Sequence, residues 1–242
     1  MRRLKEQIIE KSLFTSALIT IAVTVGIILV LSIEAFNFFS EVSIVDFFTD
    51  TQWTPLFTEK HFGILPLLSG TFLTSLIAII VALPIGLSIS IYLSEYAPKS
   101  FRKTIKPLLE LLAAVPTVVY GFFALIVVTP ILQEIIPNLS GFNSLSAGIV
   151  MGIMIIPFVS SISEDALHAV PNSLREASFG MGATKLQTAF KVIVPAASSG
   201  IIVSVILAIS RAIGETMIVA IAAGQQPRLT LDPTVPVETI TA

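Results

Sequence analysis

Arg211 and Glu215 lie four residues apart and are the only interruptions in an apolar run, Ala196–Ala223. A guanidinium is a planar fork of donors that matches an oxyanion such as phosphate or a carboxylate. Residues at i and i+4 share one face of a helix, so the spacing predicts that these two side chains meet. If that helix starts near Ala196, Arg211 lies about 22 Å along it, at about 1.5 Å per residue. In a bilayer that depth is past the midplane. A lone charge there costs about 2.5–3.5 kcal/mol, and such residues face a bundle interior or a water-filled path. Two readings follow. The pair neutralises itself and locks helices together, or it lines a path for an anion, with the carboxylate keeping the site from holding that anion too tightly to release it.

Other chemistry is scarce. The chain has no cysteine, which removes thiolate metal sites, disulfides and cysteine nucleophiles. The histidines are His61 and His168. His61, beside Glu59 and Lys60, reads as surface, and Glu164, Asp165 and His168 read as a solvated helix end before acid–base or metal chemistry. None of the 13 glycines precedes a lysine, so a G-x-x-x-x-G-K-[ST] phosphate loop is absent. G-x-S-x-G and H-E-x-x-H are absent as well. No cofactor is expected, and a net charge of −2 gives no reason to expect nucleic acid.

The elements that position Arg211 and Glu215 follow from composition. Apolar residues make up 54% of 242 and charged ones only 12%, about half the usual share of a soluble domain. With a mean hydropathy of +0.92, the surface suits lipid. A spanning helix needs about 20 apolar residues. Charge-free stretches run over Leu13–Ile33, Phe62–Ser94, Leu111–Gln133 and Ile135–Ser163, and with Ala196–Ala223 they predict five spans. The first is too long for a signal-peptide core and no A-x-A site follows it, so it is expected to stay. Lys and Arg then number eleven in the N-terminus and alternate loops and two in the others. The positive-inside rule places the N-terminal tail, residues 1–12, in the cytoplasm together with the segment before Pro195. Residues 34–63 become an acidic external loop, and the Pro-rich segment from Gln225 to Ala242 reads as an outer loop. An odd number of spans leads to the expectation of a shortened chain.

One cytoplasmic segment, residues 171–195, carries its own punctuation. Ser173-x-x-Glu176 and Thr184-x-x-Gln187 both fit the capping box, in which side chains satisfy the free N–H groups of a helix start. Gly180 and Gly182 supply a stop between them. Two short helices with a glycine bend are expected, presenting apolar Phe179, Met181, Leu186 and Phe190. They either close the bundle as a connector or dock a cytoplasmic partner.

Glu176-Ala177-Ser178-x-x-x-Gly182, nine residues, then Val192-x-Val194-Pro195, resembles the EAA loop of ABC importer permeases. The departures are serine at the third position and valines for isoleucine and leucine. Leu65–Ser75, Ile91–Pro98, Ala113–Gly121, Ile155–Phe158 and Ser210–Met217 are similar to the C-type permease subunits of phosphate-specific ABC importers. The resemblance implies an all-α integral membrane fold, the type I ABC importer transmembrane domain over residues 64–242, with five spans present of six. It implies that Glu176, Ala177, Phe179, Gly182, Leu186 and Phe190 couple to a dimer of ATP-binding subunits. It also implies a sister permease, an extracytoplasmic phosphate-binding protein, surrounding membrane lipid and phosphate passage past Arg211 and Glu215, in a cytoplasmic-membrane protein that is not itself an enzyme. A self-contained anion channel or secondary transporter, and a permease for another oxyanion such as phosphonate, are the alternatives from the residues.

Several features have structural readings. Pro84, Pro116 and Pro157 are expected to kink spans two to four. Gly148-x-x-x-Gly152 is expected to mark close helix packing within the bundle. Trp53 suits the outer membrane interface.

Overall fold

In the computed structural model, residues 2–242 are described, with side chains from Glu6 onward, so the side chains of Arg2, Arg3 and Lys5 lie outside the described residues. The chain divides into one unit up to Asp50 and another from Thr51 on. In the first, α1 (Arg2–Glu41) is a single helix. It has no proline, is free of charge over Leu13–Ile33, and sends the hydroxyls of Thr15, Ser16, Thr20 and Thr24 back to carbonyls four residues earlier. At about 1.5 Å per residue it is about 60 Å long, roughly twice a hydrocarbon core. The helix therefore runs past both ends of the apolar stretch read from the sequence and into the acidic segment. α2 (Ile44–Thr49) follows, capped by Ser43.

The second unit starts with a short hairpin in which Trp53 pairs with Phe62. α3 (Leu65–Ile91) then continues into a π turn, Tyr92–Tyr96. The amphipathic α4 (Lys99–Ala113) ends at a break before Pro116. α5 (Thr117–Phe123), a π turn at Ala124–Val128 and α6 (Thr129–Ile135) form one rod. α7 (Ser144–His168) is the central helix, and Met151, Met154, Ile155, Val159 and Leu167 are buried along it. α8 (Asn172–Gly180) and α9 (Lys185–Thr188) form the surface hairpin. A third π turn, Ala189–Ile193, leads through α10 (Val194–Ala196) to α11 (Ser198–Ile213) and α12 (Met217–Ala222).

All three π turns share a cause. Their closing donors are the N–H groups of Ala97, Thr129 and Val194, and the next residue in each case is proline: Pro98, Pro130 and Pro195. A proline has no N–H and crowds the preceding turn, so the ladder widens by one residue just before it. Pro84 and Pro157 sit inside continuous helices, whereas Pro116 lies before α5 and kinks no span. The third apolar stretch is therefore divided: Leu111 to Ala113 belong to α4, and the spanning rod begins at Thr117.

Among the described residues, four helices are long and apolar enough to cross a membrane. A fifth span exists if Lys185–Ala196 and Ser198–Ile213, bent by 72°, count as one. The run read as a single span over Ala196–Ala223 is thus broken twice, at Ala197 and at Gly214. Beyond it the chain turns at Gly224, whose φ of +101° suits glycine, and folds back. The Val237 N–H donates to the Ala223 carbonyl, Ser140 and Leu145 donate to Thr234 and Pro233 carbonyls, and Thr71 Oγ1 accepts from Ile240. Val237 is wholly buried, and burial pushes the Glu238 carboxyl above the usual range. The segment expected as an outer loop is irregular, and it is packed over the first turns of α3 and α7.

Those two helices meet along a seam of small residues. A Cβ on Gly148 would lie 2.7 Å from Ile77 Cβ, one on Gly152 2.8 Å from the Ala78 carbonyl oxygen, and one on Gly86 2.8 Å from Val159 Cγ1. Ala78, Ala82 and Ala147 complete the contact. In lipid, helices gain little from apolar burial, and close backbone approach supplies the packing. The Gly148–Gly152 pair thus works within the chain.

At the other end of α7, Glu164 is 1% exposed and forms ion pairs with Arg102 and Lys106 of α4, the latter at 3.0 Å. Lys106 also reaches Asp165, and Arg102 Nη1 lies 3.1 Å from His168 Nδ1. This corrects the solvated-end reading: Asp165 and His168 are exposed, but Glu164 is a buried anion holding α4 to α7. Burial works against the Lys106 ammonium, yet its hydrogen bonds to Asp165 and Glu164, reinforced by their charges, hold its pKa above that of an ordinary lysine.

Two predictions follow from this packing. Gly152→Ala forces α3 outward and should cost about 1–3 kcal/mol, seen as a lower Tm of the detergent-solubilised protein, whereas Gly26→Ala meets nothing within 4 Å and should not lower it. Glu164→Gln leaves two cations facing one another and should cost about 3–5 kcal/mol, or roughly 10 °C in Tm, against no change for the exposed Glu110→Gln. Because the folded Lys106 pKa is raised, its share of this stability persists through neutral pH and disappears only as pH climbs through that raised value.

Candidate functional site

The surface hairpin is built from local chemistry. α8 ends in a Schellman motif: Ala183 N–H donates to the Ser178 carbonyl and Gly182 N–H to the Phe179 carbonyl. Gly182 has φ +81°, the left-handed conformation that this motif requires. Thr184 and Gln187 then form the expected capping box, each side chain accepting from the other's backbone N–H at 3.3 and 2.9 Å. The first expected box does not form. Pro171 takes the N-cap position, one helical turn starts at Asn172, and no side chain caps it. Ser173 is already inside the helix, so Glu176 is three residues from a position that no longer needs it and stays exposed.

Ser178, the departure from alanine in the EAA pattern, hydrogen-bonds Thr188 Oγ1 at 2.8 Å and ties α8 to α9. The hairpin is therefore one body. Glu176, Ala177, Phe179, Gly182, Leu186 and Phe190 are all exposed on it, and Met181 at its tip is 89% exposed. Between the helices lies a groove of about 520 Å³ lined by Leu174, Ala177, Met181, Gly182 and Gln187 among others. Apolar side chains held out by a rigid two-helix frame form a surface that a protein groove or pocket can cover.

Sequence reasoning missed the residue that holds this body in place. The Arg175 side chain, 15% exposed, points away from the exposed tip. Its Nε and Nη2 donate to the two carboxylate oxygens of Glu95 at 3.2 and 2.8 Å. Nη2 also donates to the Leu167 carbonyl at 2.9 Å, and Nη1 to the Val170 carbonyl at 2.6 Å. Glu95 lies in the π turn that closes α3, and Leu167 and Val170 lie at the end of α7. A glutamate closing one apolar span and an arginine 80 residues on were the available signal, but neither names the other.

Arg211 and Glu215 are arranged differently from the expected pair. α11 stops at Ile213, with Gly214 as its C-cap, so the two residues do not share a helix face. Among the described residues no ion pair joins them. Arg211 is exposed on the last turn of α11, with its guanidinium carbon 5.8 Å from the centre of the Phe158 ring, a cation–π distance. Glu215 is 8% exposed, and its Oε1 accepts from the Ile218 N–H at 3.3 Å. Its own carbonyl accepts from Thr241 Oγ1 at 2.8 Å. The carboxylate thus caps α12 and, through its carbonyl, receives the returning C-terminal segment. The physical reason is the glycine: once Gly214 ends the helix, the first N–H groups of α12 need an acceptor, and Glu215 is the nearest. Arg211 consequently keeps its donors free of a carboxylate. Among the described residues no cluster of three or more His, Asp or Glu is set to hold a metal ion.

The stretch that holds both places is similar to known proteins. Residues 82–236 match the family model described as binding-protein-dependent transport system inner membrane component. The probable ABC transporter permease protein YqgH of Bacillus subtilis is 37% identical over 210 residues, covering 86% of this chain and 68% of that protein. The phosphate transport system permease protein PstC of Xylella fastidiosa is 35% identical over 217 residues, covering 82% and 66%. A probable phosphate transport system permease protein PstC of Methanocaldococcus jannaschii is 30% identical, covering 86% and 73%. The chain thus spans about two thirds of the length of the first two relatives. A solved structure of the MetNI methionine ABC transporter in inward-facing conformations is similar over 63% of this chain and 68% of that one, with 23% identity and a TM-score of 0.48. With a match over residues 82–236, relatives at 30–37% identity and an all-helical, multi-pass architecture, this chain is a member of the binding-protein-dependent transport system inner membrane component family, the transmembrane part of ABC importers.

Proposed function

We propose that this protein is the permease subunit of an ATP-driven importer that carries inorganic phosphate across the cytoplasmic membrane, with its N-terminus in the cytoplasm. The observation that carries this reading is the α8–α9 hairpin, a rigid, apolar-tipped body on a chain with no phosphate loop of its own. Such a body serves to receive force from a separate nucleotide-hydrolysing subunit. The phosphate assignment draws support from relatives named as phosphate transport permeases and from the residues around Arg211 that resemble them.

In this reading Glu176, Ala177, Phe179, Gly182, Leu186 and Phe190 meet the dimer of ATP-binding subunits, and a sister permease and an extracytoplasmic phosphate-binding protein complete the assembly. The polypeptide does no bond chemistry. Closure of the ATP-binding dimer drives the hairpin, and the spans rock between outward- and inward-open states. Arg211, free of a carboxylate, offers its fork of donors to the anion in the path. Glu215 lies beside the path and holds the α11–α12 break that positions Arg211 at a helix end. Because it does not pair with the guanidinium, release of the anion depends on the spans moving rather than on a competing carboxylate.

The test is radiolabelled-phosphate uptake by the assembled transporter in proteoliposomes, with sulfate and phosphonate as competitors. Uptake should depend on ATP, and neither competitor should displace phosphate at equal concentration. Arg211→Ala should reduce uptake at least about tenfold, since it removes charge-assisted hydrogen bonds worth about 1.5–3 kcal/mol, while co-purification of the ATP-binding subunit is retained. Undiminished uptake in Arg211→Ala would reject the role given to Arg211, and ATP-independent uptake would reject the importer itself.

A further inference from the structure

The hairpin can drive the spans only if something fixes it to them. The backbone from Ala169 to Asn172 and the turn after α10 are its two covalent attachments. Within α8 itself, Arg175 is the side chain whose hydrogen bonds reach the spans; the Ser178 bond stays inside the hairpin. We infer that Arg175 is the residue that transmits motion of the coupling hairpin to α3 and α7, by binding Glu95 and the last carbonyls of α7 at once. This deepens the importer reading and rests on it.

The geometry is specific to that task. The guanidinium is bidentate to Glu95, which gives the joint a direction as well as a strength. The guanidinium also reaches the Leu167 carbonyl in the last turn of α7 and the Val170 carbonyl just beyond it. A fifth contact, Nη1 to Asn172 Oδ1 at 3.4 Å, holds the side chain against the start of its own helix. Ser94 Oγ donates to Glu95 Oε1 at 2.9 Å and orients the carboxylate. Both partners are largely buried, with side-chain exposures of 15% and 10%, so salt and water screen the pair little. Lysine cannot reproduce the joint, because an ammonium cannot meet a carboxylate in a bidentate fork while bonding two further carbonyls in the same plane. The α3 end and the α7 end lie side by side because of the glycine seam, so a push on α8 acts on both spans together.

Arg175 is a positioning residue, and its effect should appear in coupling before it appears in binding. The experiment measures phosphate transported per ATP hydrolysed by the assembled transporter in proteoliposomes, for the unmutated protein and for Arg175→Ala, Arg175→Lys and Glu95→Gln. We expect the ATP-binding subunits to co-purify with all four. The ratio should fall at least fivefold in Arg175→Ala and by a smaller factor in Arg175→Lys and Glu95→Gln. The double reversal, Arg175→Glu with Glu95→Arg, restores the ion pair without the carbonyl bonds and should recover part of the ratio. An unchanged ratio in Arg175→Ala would overturn the inference. Should that variant fail to assemble, an unchanged ratio in both Arg175→Lys and Glu95→Gln would do the same. An unmutated transporter that hydrolyses ATP and moves no phosphate would instead remove the importer reading, a distinct result.

Discussion

The approach of α3 to α7 is the constraint from which the other features follow. Gly148 and Gly152 on one helix and Gly86 on the other bring two backbones within van der Waals contact. A bilayer offers no solvophobic reason for helices to meet, so contact must come from shape. Once α3 and α7 are fixed side by side, their ends are fixed as well. At one end the π turn carrying Glu95 lies against the Leu167 and Val170 carbonyls, and together they make a socket for Arg175. At the opposite end, Thr71 and Ser144 receive the returning C-terminal segment. One seam therefore determines where the α8–α9 hairpin is fastened to the bundle and what covers its far side.

Charges follow a consistent rule. Glu164 and Glu95, at the end of the bundle that carries the surface hairpin, are each matched to an arginine from another helix. Arg211 has an aromatic face beside it and no carboxylate on it, and Glu215, four residues away, is spent on a helix cap. A buried charge is costly unless paired or hydrogen-bonded, so Glu164 and Glu95 are paired with arginines and Glu215 accepts a backbone N–H, while Arg211 stays exposed with no carboxylate partner among the described residues.

What could be read from the sequence was whatever acts through neighbours in the chain. The Thr184–Gln187 box, the Gly182 stop and the helices α3 and α7 within the second and fourth apolar stretches depend on local spacing, and these stand where spacing put them. The first capping box failed for an equally local reason, because Pro171 already occupied the N-cap. Hydropathy did not see the breaks at Ala197 and Gly214, since a turn of one to three residues barely alters the average over an apolar window. It missed the packing of the last eighteen residues because that contact is made largely through backbone groups, which leave no signature in side-chain type. Arg175 with Glu95, Arg102 with Glu164 and Ser178 with Thr188 join residues from different helices, and only the fold introduces them. The family resemblance implied coupling at the hairpin; how the hairpin is fastened needed coordinates.

The account holds that α8 and the span ends move as one body. Because the chain has no cysteine, spin labels can be placed singly, at the exposed tip residue Met181 and at Lys99, just beyond the end of α3. Distances between them would be measured in the assembled transporter, nucleotide-free and with ATP trapped, alongside distances from Lys99 to the partner permease. The account predicts that the Met181–Lys99 distance holds constant while the Lys99–partner distance changes. A hairpin that swings relative to Lys99 while the spans keep their places would contradict it.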